Sequence, residues 1–380
     1  MAEQIPVFKP YLGPDTRQAA VDALDLGWLG MGSYVQQFEE RLKAVLDAGD
    51  RHVVAVNTGT SALHLAMVLL GIGPGDEVIT PAFNNIGDFQ AIRAAGAEPV
   101  FCDIEEDTLG IDVAKAETLV SPRTKAIIGM DYAGIPCALD ALDAMARRHG
   151  LAVIHDAAHS LGTRFGGRPI ADVGDVTVFS FDPVKIITCI DGGALVVRSA
   201  DQVAALHRMR LLGMDQSANR MYTNQRAWTY DVTGQGYRYH LANLHASIGL
   251  SQLNRLDEFI ASRRASCRQY ANLLAGVRGL TLPATDFEDV APFIYYVRIH
   301  GGRRDAAIAE LKQTGIDTGI HWIPGHQFSF LKACRRGDLT VTERVGAEIL
   351  TLPLHSYMAP ATVERVAAGL IDVVANRRAA

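Results

Sequence analysis

The chain has 380 residues, of which 48% are apolar and 21% charged, and its formal net charge at pH 7 is −6. This length predicts two domains, or one large domain with a smaller one. The acidic balance argues against nucleic-acid binding, and no window is apolar for long enough to span a membrane. The opening residues, MAEQIPVFKP, show no secretion-signal pattern. We therefore expect a cytoplasmic enzyme.

Short β-branched runs alternate with helix-length segments from about Val53 to Val197. In chain order they are HVVAV and TSALHLAMVLL, EVIT and DFQAIRAAG, EPVFCD, KAIIGM and LDAMARRHG, LAVIHD, VTVFSF, and GALVV. Apolar strands separated by amphipathic helices predict a mainly parallel sheet with helices on both faces. We expect an α/β fold with a large domain over residues 1–240 and ligand groups at the carboxyl ends of its strands.

The pattern becomes more helical after Val197. Residues 241–277 keep apolar positions at three- and four-residue spacing with little Gly or Pro interruption, which predicts a long helical segment that links two domains. A strand-like FIYYVRIH, a helix near Asp305 to Thr314 and helical turns after Pro360 follow. We expect a smaller α+β domain over residues 241–380, linking helix included.

The cysteines are scattered, with no C-x-x-C pair and no close histidine group. This distribution argues against a metal centre, an iron–sulfur cluster or a disulfide framework. We interpret them as reduced, mostly buried thiols: Cys102, Cys137, Cys189, Cys267 and Cys334.

The first candidate motif is NTGTSALHLA, which follows the run HVVAV and opens a helix. Gly59 permits a tight turn, and Thr60 and Ser61 place hydroxyl and N–H groups at a helix N-terminus, where an anion is stabilised. A phosphate fits this position. Simple N-capping by the same residues is the alternative interpretation.

The second candidate motif is LAVIHDAAHSLG, in which an apolar strand delivers Asp156 at its carboxyl end. Two alanines follow, whose small side chains leave room for a flat ligand, and His159 comes next. Alternatively, Asp156 caps the next helix and His159 is an ordinary surface or core histidine.

The third candidate motif is VFSFDPVKIITC, in which Ser180 and Lys185 flank a turn after an apolar strand. A lysine in an apolar pocket loses affinity for its proton, and a neutral amine attacks aldehydes. Such a lysine, an acidic partner for a pyridine nitrogen and a phosphate site together describe a pyridoxal phosphate (PLP) enzyme.

These motifs resemble those of the DegT/DnrJ/EryC1/StrS sugar aminotransferases, which belong to the fold-type I PLP enzymes and have a large domain built on a sheet of seven-stranded type. The resemblance covers nearly the whole chain. The matching segments are GWLGMGSYVQQFEERL, GTSALHLA, HDAAHSLG, FSFDPVK, DGGALVV, GYRYHLANLHASIGLSQL, GIDTGIHWIPGHQ and LPLHSYM.

The resemblance implies a role for each matching residue. Lys185 would hold the cofactor covalently and then move a proton at the substrate carbon, and Asp156 would keep the ring nitrogen protonated. His159 would contact the phenolic oxygen or pack beside the ring. The phosphate would be bound at the turn after Gly59 by Thr60, Ser61 and Ser180.

Two departures from the family pattern concern cofactor contacts. Where relatives usually carry an aromatic residue that stacks on the ring, this chain has Asn85, with Phe83 two residues earlier. Where relatives commonly have an Asn that reaches the neighbouring subunit's phosphate, this chain has Arg238. A guanidinium would bind that phosphate through a charge-assisted contact, or else bind substrate.

The resemblance further implies a ping-pong Schiff-base reaction in a homodimer whose active sites lie at the subunit interface. L-Glutamate would donate its amino group, and a keto-sugar, most simply one linked to a nucleotide, would accept it. Polar and aromatic residues suited to that substrate, or else to a domain-interface network, are Tyr239, His240, His321 and Trp322.

Three alternatives stay open from the sequence. The acceptor is a keto-sugar without a nucleotide, or a cyclitol; or the chain is a non-catalytic regulator that keeps the fold. The third is a dehydratase of the same family. Known dehydratases replace the Schiff-base lysine by histidine or add an iron–sulfur cluster, and Lys185 and the scattered cysteines argue against both.

Overall fold

The structure, a computed structural model, describes residues 4–215, 218–226 and 228–375. The helices of that part are α1 (Pro14–Asp25), α2 (Ser33–Val45), α3 (Gly59–Leu69), α4 (Ile86–Ala94), α5 (Val113–Thr118), α6 (Leu139–His149), α7 (Ala200–Met209), α8 (Ala218–Tyr222), α9 (Asn243–Leu253), α10 (Leu256–Leu274), α11 (Arg304–Gln313), α12 (Thr340–Glu348) and α13 (Pro360–Ala375). The strands are β1 (His52–Val56), β2 (Glu77–Pro81), β3 (Glu98–Cys102), β4 (Thr124–Met130), β5 (Ala152–Asp156), β6 (Arg164–Phe165), β7 (Arg168–Pro169), β8 (Val176–Ser180), β9 (Gly193–Val197), β10 (Met214–Asp215), β11 (Asp231–Val232), β12 (Leu280–Thr281), β13 (Tyr295–Ile299) and β14 (Ile349–Leu352).

Seven strands form the central sheet in the order β1-β9-β8-β5-β4-β2-β3. All neighbours are parallel except β9, which runs antiparallel to both β1 and β8. The predicted α/β fold with a mainly parallel sheet is therefore confirmed. Because β9 is reversed, its first residue, Gly193, lies beside the last residues of β1 and β8, Val56 and Ser180.

Both faces of this sheet are buried, which explains why its strands are apolar throughout. In β1, Val54 and Val56 pack in one core with residues of α3, α4 and α7. Val53 and Ala55 pack in a second core with residues of α2, α6 and α9. Alternate residues thus face opposite helix layers, as the two-residue repeat of a strand requires.

The C-terminal part contains a three-stranded antiparallel sheet in the order β12-β13-β14. The predicted strand FIYYVRIH contains β13, and the predicted helices correspond to α11 and α13. Helix α10 packs on α13, whereas α9 packs on α1 and α2. The division of the chain at residue 240 stays a prediction.

The single long helical segment predicted over residues 241–277 is wrong in one respect, because it consists of two helices. The backbone leaves the helical region at Arg255, with φ −116° and ψ 8°. The Arg255 side chain bonds to Tyr357 and Glu258 and also contacts Tyr11. Since α9 and α10 pack against different partners, the chain must change direction between them.

The first described residues pair with the C-terminal part of the chain. The Ile5 N–H donates to Gly315 O (2.8 Å), and Ile5 O accepts from the Asp317 N–H (3.0 Å). The Leu354 N–H donates to Val7 O (3.1 Å). The N-terminal segment therefore contacts the C-terminal part of the chain, and the next two helices, α1 and α2, pack on α9.

Four cysteines are buried and Cys334 is half-buried, all as free thiols. Within the described residues, no helix has both the length and the apolar composition needed to cross a bilayer.

Candidate active site

A cavity of about 450 Å³ lies where β1, β5 and β8 end. These carboxyl ends meet at one edge of the sheet, the position where open α/β sheets bind ligands. The cavity brings together nine of the residues that the sequence singles out: Gly59, Thr60, Asn85, Asp156, His159, Ser180, Lys185, His321 and Trp322.

The start of α3 forms one end of the cavity. Thr58 is the N-cap, and its Oγ1 accepts a hydrogen bond from the Ser61 N–H (2.9 Å). A Cβ on Gly59 would lie 2.8 Å from Cβ of Ser180, and one on Gly193 would lie 2.3 Å from Thr58 O. Only glycine fits at either position, so the first N–H groups of α3 are held against Ser180 as an anion cradle.

Ser61 does not line the cavity. Its hydroxyl donates to Asn57 Oδ1 (2.6 Å), and its side chain is buried at the first turn of α3. The cavity is instead lined by Thr58, which the sequence analysis did not single out. The Thr-x-x-Ser spacing of an N-cap is the signal that identifies Thr58.

Asp156 is the last residue of β5 and is 4% exposed. Its Oδ1 accepts from the Ala158 N–H (3.0 Å). Burial raises the pKa of Asp156, and the Ala158 N–H opposes that effect. Asp131 Oδ2 lies 2.8 Å from His155 Nε2 and accepts a hydrogen bond from Ser160 Oγ (2.6 Å). These contacts fix the end of β5.

Lys185 is half-buried in the loop after β8, with Nζ 4.4 Å from the centre of the Phe293 ring. Burial lowers the pKa of Lys185 to about 8, although the carboxylates of Asp156 and Asp182 raise it. At that value roughly one amine in ten is neutral at pH 7, against about one in 3,000 for an ordinary lysine. The side chain is therefore prepared for nucleophilic attack.

Aromatic rings line the side of the cavity that adjoins the C-terminal part of the chain. His159 stacks on Trp322 (5.0 Å between ring centres) and lies 4.2 Å from Phe293. Burial, and then the charge of Lys185, lowers the pKa of His159 well below its usual value and that of His321 to about 4. Both imidazoles are therefore neutral at pH 7.

The segment after β2 places no aromatic ring on the cavity. Asn85 caps α4 by accepting from the Gly87 N–H (2.7 Å), and it lines the cavity. Phe83 is fully buried and packs against Tyr132, with 5.2 Å between ring centres. From this side the cavity is thus lined by an amide rather than by a benzene ring.

Besides Ser61, three more predicted site residues lie outside this cavity. Arg238 and His240 line a second cavity of about 580 Å³ beside Trp28 and Met31. Tyr239 stacks on the ring of Tyr237 (5.1 Å). Its backbone oxygen accepts from the Asn57 N–H (2.7 Å), which holds the segment next to the start of α3.

Asp88 and Phe293 line the first cavity but were not singled out from the sequence. Asp88 lies in DFQAIRAAG, which reads as an ordinary helix start with an acid in its first turn. Phe293 precedes a strand more than 100 residues after Lys185. Nothing local in the sequence connects either residue to the cavity.

The cavity fits pyridoxal phosphate. The cradle at Gly59 suits its phosphate, and Asp156 suits its ring nitrogen. Among the described residues, the buried Nδ1 of His159 has no hydrogen-bond partner, so it is available to a polar group of a ligand. Together with Lys185 and the seven-stranded sheet, these features define a fold-type I PLP-dependent enzyme.

The chain belongs to the DegT/DnrJ/EryC1/StrS aminotransferase family, whose model matches residues 10–371. The aminotransferase TlmJ from Streptoalloteichus hindustanus is 34% identical, with a TM-score of 0.90 over 98% of this chain and 99% of TlmJ. DesV from S. venezuelae is 31% identical, with a TM-score of 0.89 over 98% and 99%. Spr1654 from Streptococcus pneumoniae, in its PLP form, is 27% identical, with a TM-score of 0.88 over 98% and 99%.

These comparisons confirm the family and the cofactor expected from the sequence. The chain is a PLP-dependent aminotransferase, so a non-catalytic regulator and a dehydratase are not supported.

Proposed function

We propose that this aminotransferase moves the amino group of L-glutamate to a keto-sugar linked to a nucleoside diphosphate. The observation that carries the proposal is the convergence of Lys185, Asp156 and the start of α3 on a cavity whose other side is formed by uncharged aromatic rings.

Lys185 is the proposed anchor and proton carrier. Pyridoxal phosphate supplies an aldehyde carbon that accepts the amino group and a ring that withdraws electrons. Lys185 would hold the cofactor through Nζ. Because its pKa is lowered to about 8, the same nitrogen can take a proton from the substrate carbon and return one to it near neutral pH.

Asp156, His159 and the helix start are the proposed binding groups. Asp156 would keep a proton on the ring nitrogen, and the hydrogen bond from the Ala158 N–H orients its carboxylate. Nδ1 of His159, which has no partner among the described residues, would contact the phenolic oxygen. Backbone N–H groups at Gly59 and Thr60, with the hydroxyl of Ser180, bind the phosphate.

The ring-lined side is the proposed acceptor site. Neutral His159 and His321 and the indole of Trp322 offer flat faces and hydrogen-bonding nitrogens, which suit the hydroxyls of an uncharged sugar ring. A volume of about 450 Å³ lies toward the small end of ligand sites. The cavity would hold the cofactor and the sugar ring, and the nucleotide would extend out of it.

We propose a homodimer in which Arg238 reaches the cofactor phosphate of the neighbouring subunit. Arg238 is exposed, and exposed apolar side chains surround its cavity, among them Trp228 (87% exposed), Tyr230 and Leu29. Burying these side chains against a second copy would stabilise the dimer. Sedimentation with simultaneous assay is the test, and an active monomer would contradict the proposal.

The test of the reaction uses the purified yellow enzyme in two stages. L-Glutamate alone should convert the bound cofactor to its amino form and release one equivalent of 2-oxoglutarate. Keto-sugars with and without a nucleoside diphosphate are then added, and recovery of the original absorbance identifies the acceptor. Glutamine and alanine are compared as donors. Recovery only with nucleotide-free sugars or cyclitols would overturn the nucleotide assignment.

A further inference from the structure

Asp88 is a second acidic residue in the cavity that the proposed reaction does not use. It lies in the first turn of α4, is 0% exposed and lines the same cavity as Asp156. Within the described part of the chain, neither of its carboxyl oxygens has a hydrogen-bond partner. An unpartnered, fully buried carboxylate is costly, so this group needs either a proton or a ligand.

The charges around Asp88 favour a proton. Two charged groups face it, Asp156 from the end of β5 and Lys185 from the loop after β8, and Asn84 is its polar neighbour. Burial first, and then the negative charge of Asp156, raise the pKa of Asp88 well above its usual value. In the opposite sense, Asp88 lowers the pKa of Asp156. Two neighbouring carboxyls in a buried site cannot both ionise without a large electrostatic cost.

We propose that Asp88 is a positioning residue that keeps its proton and donates a hydrogen bond to Asp156. Asp156 is thereby held as a carboxylate that faces the ring nitrogen of the cofactor, and its strength as a base is set by Asp88. The inference rests on the role proposed above for Asp156. Asp88 itself touches neither of the reacting atoms.

The carboxyls of Asp88 and Asp156 have different surroundings, and this difference indicates that Asp88 carries the proton. Asp156 accepts a hydrogen bond from the Ala158 N–H, and a backbone donor stabilises a carboxylate. Asp88 has no such backbone donor among the described residues, and the Asn84 amide lowers its pKa by less than burial and Asp156 raise it. The group with the donor is therefore the ionised one, and the group without it is the acid.

Two substitutions separate hydrogen bonding from charge. Asp88→Asn keeps the shape and an N–H donor but cannot ionise. Asp88→Leu keeps the branched shape and the number of side-chain heavy atoms but removes the donor. We expect Asp88→Asn to retain turnover within about threefold of the wild type, because a protonated Asp88 is already neutral. We expect Asp88→Leu to move the acid limb of the kcat/KM profile to higher pH by about one unit, because Asp156 loses the donor that favours its carboxylate.

The second readout is the absorbance of the bound cofactor during a pH titration without substrate. Its midpoint reports the charge near the Lys185 linkage. Asp88→Asn should leave it unchanged, whereas removal of an ionised carboxylate would lower it by about one unit or more. The matched control is Asp182→Asn, which removes a carboxylate that raises the pKa of Lys185. That variant should lower the midpoint, which shows that this readout responds to the loss of an ionised carboxylate.

The outcomes separate this inference from the proposed function. If Asp88→Asn lowers the midpoint, or if Asp88→Leu leaves the acid limb where it is in the wild type, the assignment to Asp88 is overturned. A merely structural Asp88 would change the melting temperature but neither pH readout. If Lys185→Ala keeps full activity, the proposed function fails whatever the Asp88 variants do.

Discussion

The two sides of the cavity are built differently. The side at the sheet edge consists of strand ends and a helix start, and it is packed so closely that a Cβ would meet Ser180 Cβ at Gly59 and Thr58 O at Gly193. The side next to the C-terminal part consists of aromatic side chains stacked on one another, such as Trp322 on His159. The first side can hardly change without loss of the fold, whereas the second can change by substitution of single rings. We infer that the sheet side carries the shared chemistry and the ring side selects the acceptor.

Lys185→Ala should have the largest effect, because the sheet side then lacks its nucleophile. We expect glutamate-dependent formation of 2-oxoglutarate to fall by about 10³-fold or more, while the phosphate cradle still binds the cofactor. Absorbance and phosphate analysis of the dialysed protein measure cofactor retention. Lys185→Arg, which keeps a cation but offers no comparable nucleophile, should be equally inactive. Activity near the wild-type level in either variant would contradict the role proposed for Lys185.

Gly193→Ala tests whether the sheet side is as rigid as its contacts indicate. The added Cβ meets Thr58 O at 2.3 Å, a backbone atom that can move only with the start of α3. We expect a loss of about 1–3 kcal/mol in the free energy of unfolding and weaker cofactor binding. The control is Gly234→Ala, where the Cβ has open space. Equal melting temperatures and cofactor affinities for the two variants would show that the cradle tolerates displacement.

Trp322→Ala tests the ring side. The indole stacks on His159 and lines the cavity. We expect KM for the keto-sugar to rise about tenfold, with little change in the reaction with glutamate alone. Trp322→Phe keeps a flat ring but loses the N–H donor, so its KM for the keto-sugar should lie between those of the wild type and Trp322→Ala. If Trp322→Ala slows both half-reactions equally, the sheet side and the ring side do not have the separate roles inferred above.

The smallest expected effect is the pH dependence of cofactor attachment. The pKa of Lys185 is lowered to about 8, so the neutral, nucleophilic amine predominates above that pH. After PLP is added to the apoenzyme, the rate of absorbance change should rise about tenfold from pH 7 and level off above about pH 8. An ordinary lysine would show a rate that keeps rising beyond pH 10. Asp182→Asn should move the midpoint to lower pH.

The sheet side was largely predictable because its signals are local. Asp156 ends an apolar run and Gly59 opens a helix, and parallel strands bring such ends to one edge. The ring side was reached only through the resemblance, which pointed to His321 and Trp322. Asp88 and Phe293 could not be found, because their positions depend on how distant segments pack. The break at Arg255 has the same cause, since local periodicity does not report a change of packing partner. The roles of the individual residues remain predictions.

The backbone bonds of Ile5 and Val7 to Gly315 and Leu354 constrain the order in which the protein can be completed on the ribosome. Ile5 and Val7 leave the ribosome well before their partners Gly315 and Leu354. The central sheet can assemble while those first residues stay unpaired, since its strands end at Val197. The segment with Ile5 and Val7 can therefore pair only after the strands of the central sheet, which follow it in sequence, have been made.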